Sequence, residues 1–119
     1  MILRLSLLIA ALATAGHAQQ QTTSASGAVL RGLDKINGTT KDIEIKSGSA
    51  VAFGSLNIAL RDCRYPVGNP SGNAFAALEI AETGKSGAVF SGWMIASAPA
   101  LSAMDHSRYD VWVMRCTTS

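Results

Sequence analysis

From residue 28 onward, short apolar stretches alternate with turn signals at close spacing. That texture predicts an antiparallel β domain. Residues 29–36 run into Asn37-Gly38, the dipeptide most favoured in two-residue hairpin loops because both positions tolerate positive φ. In Asp42-Ile43-Glu44-Ile45-Lys46 the alternation places Ile43 and Ile45 on a buried face. After Ser47-Gly48-Ser49 turns the chain, residues 50–53 form a short strand stopped by Gly54-Ser55. Leu56, Ile58 and Leu60 then share one face, with Asn57, Arg61 and Cys63 on the other. Residues 64–74 hold Pro66, Gly68, Pro70 and Gly72 and are expected to form a loop.

Strand character resumes over residues 75–80, and a glycine-bracketed turn follows at 83–87. Residues 88–95 read as a strand buried on both faces except at Ser91. Residues 97–104 favour one short helix or 3₁₀ turn, with Ser97 placed to cap it and Pro99 tolerated in its first turn. A turn at 105–108 leads into the last strand, 109–116. Strict alternation there sends Tyr109, Val111, Val113 and Arg115 one way, and Asp110, Trp112, Met114 and Cys116 the other. Trp112 and Met114 would then lie beside any cystine at Cys116. Every aromatic residue falls at or after Phe53, which weights the expected core toward the C-terminal two-thirds. The fold expected is all-β, a small antiparallel β-sandwich or barrel with one short helix, stapled by one disulfide, spanning residues 28–119 as a single domain.

Two segments precede that domain. Residues 1–18 have the order of a secretory signal peptide: Arg4 as a short positive region, an apolar run from Leu5 to Ala13, and small residues around Ala18 for cleavage. The apolar run is shorter than the ~20 residues that span a bilayer, so no transmembrane segment is expected after cleavage. Residues 19–27 are rich in Gln, Thr, Ser and Gly and read as a flexible tether. The chain of 119 residues is one domain in size, and its 48% hydrophobic and 15% charged residues exclude intrinsic disorder. A net charge of +2 is far below the basic footprint of a nucleic-acid binder.

Export changes how Cys63 and Cys116 are read. In an oxidising compartment an even cysteine count favours a disulfide. Closing a loop of this length stabilises a small domain by about 4 kcal/mol on the chain-entropy argument. Two buried free thiols are the alternative. A zinc site needs three or four ligands, and beyond the signal segment the chain adds only His106 to the two cysteines. No metal or other cofactor is expected.

Candidate chemistry is sparse. Asp105-His106-Ser107-Arg108 opens the densest polar cluster. It could be a histidine base serving Ser97 or Ser102, or a hydrogen-bonded corner that ties the turn to the last strand, or part of a partner surface. No nucleophile-elbow pattern surrounds either serine, which favours the corner. Arg61, Arg64 and Tyr65 precede the Pro/Gly segment and could grip an acidic partner or a glycan, or simply form a solvated edge. Trp93 and Trp112 could stack on a sugar, but strands this apolar more often bury them. Gly84-Lys85-Ser86 resembles the tail of a phosphate loop, yet the glycine required five positions earlier is Glu79, so a hairpin turn is the better reading. Asn37-Gly38-Thr39 matches a glycosylation sequon and is read as turn chemistry. The order Cys63, Trp93, Cys116 invites comparison with immunoglobulin domains. However, Trp93 lies mid-interval and position 114 is Met where a tyrosine corner places Tyr.

Longer segments carry a resemblance. Leu30-Arg31-Gly32-Leu33-Asp34-Lys35 with Asn37-Gly38, Phe53-Gly54-Ser55-Leu56, Cys63-Arg64-Tyr65-Pro66 and Phe75-Ala76-Ala77-Leu78-Glu79-Ile80 are among them. So are Phe90-Ser91-Gly92-Trp93-Met94-Ile95-Ala96-Ser97 and the stretch from Pro99 through Arg108-Tyr109-Asp110-Val111-Trp112-Val113 to Cys116. Together these are similar to the alphaproteobacterial family known as domain of unknown function 2155, over about residues 29–116. The resemblance implies an exported, small, single-domain protein with this cysteine pair, no attached activity and no catalytic residues to transfer. It also implies genes often placed near an accessory subunit of respiratory complex I, and so a periplasmic role beside that complex. The function expected is a non-enzymatic periplasmic module of an envelope protein complex, complex I first. Its candidate partner surface is Arg61, Arg64, Tyr65, Asp105, His106 and Arg108. A ligand- or glycan-binding module and a small hydrolase around Ser102 and His106 are the alternatives.

Overall fold

The computed structural model describes residues 20–119. The expected signal segment lies outside these residues. Eight strands follow in order: β1 (Thr22–Ser24), β2 (Gly27–Asp34), β3 (Thr39–Lys46), β4 (Ala50–Phe53), β5 (Leu56–Pro66), β6 (Phe75–Glu82), β7 (Ala88–Ile95) and β8 (Tyr109–Thr117). A single 3₁₀ turn, Pro99–Ser102, sits between β7 and β8. All pairings are antiparallel. One sheet runs β1-β5-β6-β7, with β4 also on β5; the other runs β3-β2-β8. The fold is therefore all-β, as the alternation indicates.

The chain crosses between the two sheets at corners between β1 and β2 and between β3 and β4. Ala25 donates its N–H to Cys63 in the first sheet at 2.7 Å, and Ser26 donates to Thr117 in the second at 3.1 Å. Ser47 N–H bonds the Ser26 carbonyl at 2.9 Å where β3 passes into β4. Residues 19–27 are expected to be a flexible tether, but the described part, residues 20–27, carries β1 and this corner. Thr22, Thr23 and Ser24 pair with Pro66, Tyr65 and Arg64. A segment with little apolar area to bury is ordered here by backbone hydrogen bonds to an open edge of β5.

Between the sheets lies an aliphatic core of Leu30, Leu56, Ile58, Leu60, Leu78, Ile80, Val111 and Val113. Each such side chain contributes about 1.5–3 kcal/mol by leaving water. Tyr109 is the aromatic member of the buried core, and β2 and β3 contribute Ala28, Leu30, Ile43 and Ile45. The core is thus spread along the chain rather than weighted toward its aromatic C-terminal part.

The disulfide Cys63–Cys116 joins β5 of one sheet to β8 of the other. Strict alternation puts both cysteines on outer faces, and the structure puts both inside, at 0% and 5% exposure. A bulge in each strand is the reason. Leu60 pairs with Leu78 and Asp62 with Ala77, leaving Arg61 as the extra residue. Val29 pairs with Arg115 and Leu30 with Val113, leaving Met114 extra. Each extra residue reverses the facing of everything after it.

Three further expectations are corrected. The β2–β3 hairpin has a four-residue loop of turn residues 35–38 in which Gly38 alone takes positive φ, 72°. Asn37 keeps negative φ and instead accepts hydrogen bonds from Thr39 N–H and Oγ1. Arg64, Tyr65 and Pro66 belong to β5 rather than to a loop. Finally, β7 is a sheet edge with Trp93 47% exposed, not a strand buried on both faces.

Candidate functional site

The polar corner forms where the turn before β8 meets the end of β2 and the end of β6. His106 Nδ1 accepts the backbone N–H groups of Arg108 and Tyr109, each at 3.0 Å. Two donors on one nitrogen require it to be unprotonated, so the network assigns the ring proton to Nε2. Nε2 donates to Glu82 Oε2 at 2.9 Å. The Lys35 ammonium donates to the His106 carbonyl. Arg108 grips the Asp34 carboxylate through Nε and Nη2 at 3.0–3.3 Å and lies 5.2 Å from the Tyr109 ring centre. Asp34 also accepts the Ile36 N–H at 3.1 Å.

These contacts set the charges. The Arg108 guanidinium holds the Asp34 carboxyl below the usual carboxylate range, helped by the Ile36 N–H. In turn Asp34 raises Arg108. The hydrogen bond from His106 holds Glu82 low, with Lys85 adding to it. Asp34, Glu82 and Arg108 are thereby each favoured in the charged form.

The order of groups decides what the corner can do. Ser55 Oγ donates to Glu82 Oε1 at 3.4 Å, so the sequence is hydroxyl, carboxylate, imidazole. A nucleophilic triad needs the imidazole in the middle, with a free nitrogen facing the hydroxyl. Both nitrogens of His106 are engaged, and Ser97 hydrogen-bonds Asn73 through N–H and Oγ instead. Among the described residues no group of His, Cys, Asp and Glu is arranged to hold a metal. The arrangement is that of a hydrogen-bonded structural corner.

The other candidates sit elsewhere. Arg61 pairs with Glu79. Arg64 donates to Thr22 Oγ1 at 2.9 Å, the Thr22 carbonyl at 2.7 Å and Ser24 Oγ at 2.9 Å, which fastens β1 to the sheet. Tyr65 is half-buried against the core. Arg64 lies near the Pro66 end of β5, whereas Leu56 at its other end pairs with Glu82 of the corner. The six candidate partner residues are therefore not brought together. Asp105 is exposed.

A surface that includes Trp93 and Ile95, expected to be buried in an apolar strand, is open. The pairings Arg64–Phe75–Ile95 and Asp62–Ala77–Trp93 place Phe75, Ala77, Trp93 and Ile95 on one outer face of the first sheet. Arg61–Glu79 and Arg64–Asp62 pairs border it. The signal for it is Ser91, which shares its face with Trp93 by period two. On the other sheet Trp112 lines a shallow groove of about 310 Å³ with Pro99, Ala100, Ala103, Asp110 and Val111. Among the described residues, no helix is long and apolar enough to cross a membrane.

Comparison with known proteins brings no activity. An uncharacterized protein of Rickettsia prowazekii (strain Madrid E), RP359, is 28% identical over 87 residues, covering 71% of this chain and 56% of that protein. The chain thus spans about half the length of this curated relative. No solved structure matches. The family model for an uncharacterized protein conserved in bacteria, DUF2155, matches residues 28–116, which takes in both cysteines, β3 to β7 and nearly all of β2 and β8 but not β1, and the chain belongs to that family.

Proposed function

We propose that this chain is a non-enzymatic periplasmic β domain, exported by its first 18 residues, that serves as an accessory or interaction module of an envelope protein complex, with respiratory complex I as the first candidate. The observation that carries the reading is the outer face around Trp93. A half-exposed Trp beside Phe75 and Ile95, bordered by charges that already have partners, has the anatomy of an interaction centre with a polar rim. The engaged imidazole of His106 supports a module without catalysis. A buried disulfide is compatible with a compartment outside the cytoplasm.

Affinity purification from detergent-solubilised membranes, read by mass spectrometry, tests this. Complex I subunits are expected with the natural chain and are lost with Trp93→Ala. Enrichment of a different envelope complex rejects complex I, and recovery of the bait alone rejects the module.

A second reading, a ligand- or glycan-binding module, is favoured by the same exposed Trp93, since an open indole face can stack on a sugar ring. Calorimetric titration with envelope oligosaccharides separates the two readings. Binding that disappears in Trp93→Ala favours the ligand module, and absence of heat with every sugar rejects it.

A further inference from the structure

We infer that the open edge of β7 pairs, antiparallel, with β7 of a second copy of this chain about a two-fold axis at Gly92. Among the described residues, β7 has β6 on one side and no strand on the other. Ala96 N–H bonds the Ala74 carbonyl at 2.9 Å, which makes Ala76–Met94 and Leu78–Gly92 the hydrogen-bonded pairs of the β6–β7 ladder. The N–H and C=O groups of Ser91 and Trp93 therefore point away from β6. Among the described residues they have no backbone partner.

The remaining edges carry the devices by which proteins block strand addition. β3 bears Lys41, Asp42, Glu44 and Lys46. β8 bears Asp110 and Arg115, and Asp110 Oδ1 accepts the Val111 N–H at 2.9 Å. β1 and β4 have only three and four residues. β7 has eight residues with no charge and no proline, and Trp93 stands exposed on it.

The occupant follows from the same chemistry. Open N–H and C=O groups call for an extended strand, and an uncharged edge beside an exposed indole favours an uncharged strand. Among the described residues, β7 is itself the one strand longer than four residues that bears no charge. With the axis at Gly92, Ser91 faces Trp93 of the other copy and Trp93 faces its Ser91, so each open N–H and C=O meets its complement. Gly92 opposite Gly92 brings no side chains into conflict at the axis, and no like charges are juxtaposed.

Sedimentation equilibrium of the purified chain tests the inference apart from any envelope partner. A dimer is expected, with Ser91→Lys weakening association at least about tenfold by setting like charges near the axis. Amide exchange of the natural chain, followed by NMR, should show protection at Ser91 and Trp93 that grows with concentration, while Glu44 on the β3 edge is unaffected. A monomer up to ~1 mM, the weakest association of any consequence, overturns the inference. So does a dimer that Ser91→Lys leaves intact, or concentration-dependent protection elsewhere than β7.

Discussion

Cys63 on β5 and Cys116 on β8 bridge the two sheets with their Cα atoms 5.8 Å apart, and each reaches the core through a bulge just upstream of it in its own strand. Arg61 is the extra residue before Cys63, and Met114 before Cys116. The bridge and the bulges act together, because without either phase reversal one sulfur would face solvent. A domain this small gains much from such a staple. Cys63→Ala and Cys116→Ala are each expected to cost about 2–5 kcal/mol. The double variant should cost no more than the worse single one, since both remove the same link. Urea denaturation of the natural chain with and without reductant measures it, and an unchanged midpoint on reduction would contradict it.

Acid sensitivity should arise at the polar corner. Asp34 and Glu82 are both held low in the folded chain, by Arg108 and His106 respectively. In the unfolded chain they titrate near their ordinary values, about 3.9 for Asp and 4.3 for Glu. Between those values and the lower folded ones the unfolded state binds more protons, so stability rises with pH. The contribution is complete above about pH 5 and is lost as pH falls through the folded values. Asp34→Asn is expected to flatten that acid limb, seen in denaturation midpoints across a pH series; an unaltered slope would remove the ion pair from the account.

Gly54 lies beneath Tyr109, at φ 56°, where an added Cβ would collide with the phenol ring and its hydroxyl. Gly54→Ala therefore meets both a steric clash and a left-handed backbone, and about 1–3 kcal/mol is expected for the backbone alone. Tyr109→Phe removes the nearest atom but leaves ring carbons Cζ and Cε1 at 2.5 and 2.9 Å from the added Cβ, and the backbone strained. The double variant should recover part of the loss and not all of it in thermal melts. Full recovery would mean that the backbone conformation costs nothing.

Leu78, at the centre of the first sheet and 1% exposed, contrasts with Leu101 on the 3₁₀ turn, 76% exposed. Leu78→Ala is expected to destabilise by about 2–5 kcal/mol through lost burial and a residual cavity. Leu101→Ala should stay within about 0.5 kcal/mol. Equal effects in chemical denaturation would contradict the placement of the core between the sheets.

Much of this chain is local in origin. Alternation in residues 42–46 and at Leu56, Ile58 and Leu60 marks the strands and their inner faces, because a half-buried strand needs apolar side chains at every second position. The turn at 83–87 and the 3₁₀ turn at Pro99–Ser102 follow from glycine, proline and alanine content. Pairing and phase are not local. Thr22–Ser24 has no periodicity to announce a strand and becomes one because β5 offers an unpaired edge. The bulges at Arg61 and Met114 turn Cys63 and Cys116 inward, and a period-two reading has no means of counting an extra residue before the partner strand is known. Trp93 looked buried because its strand is apolar, yet it is exposed because β7 is the last strand of its sheet. Composition determines which residues can leave water; only the assembled order of strands decides which faces and edges remain uncovered.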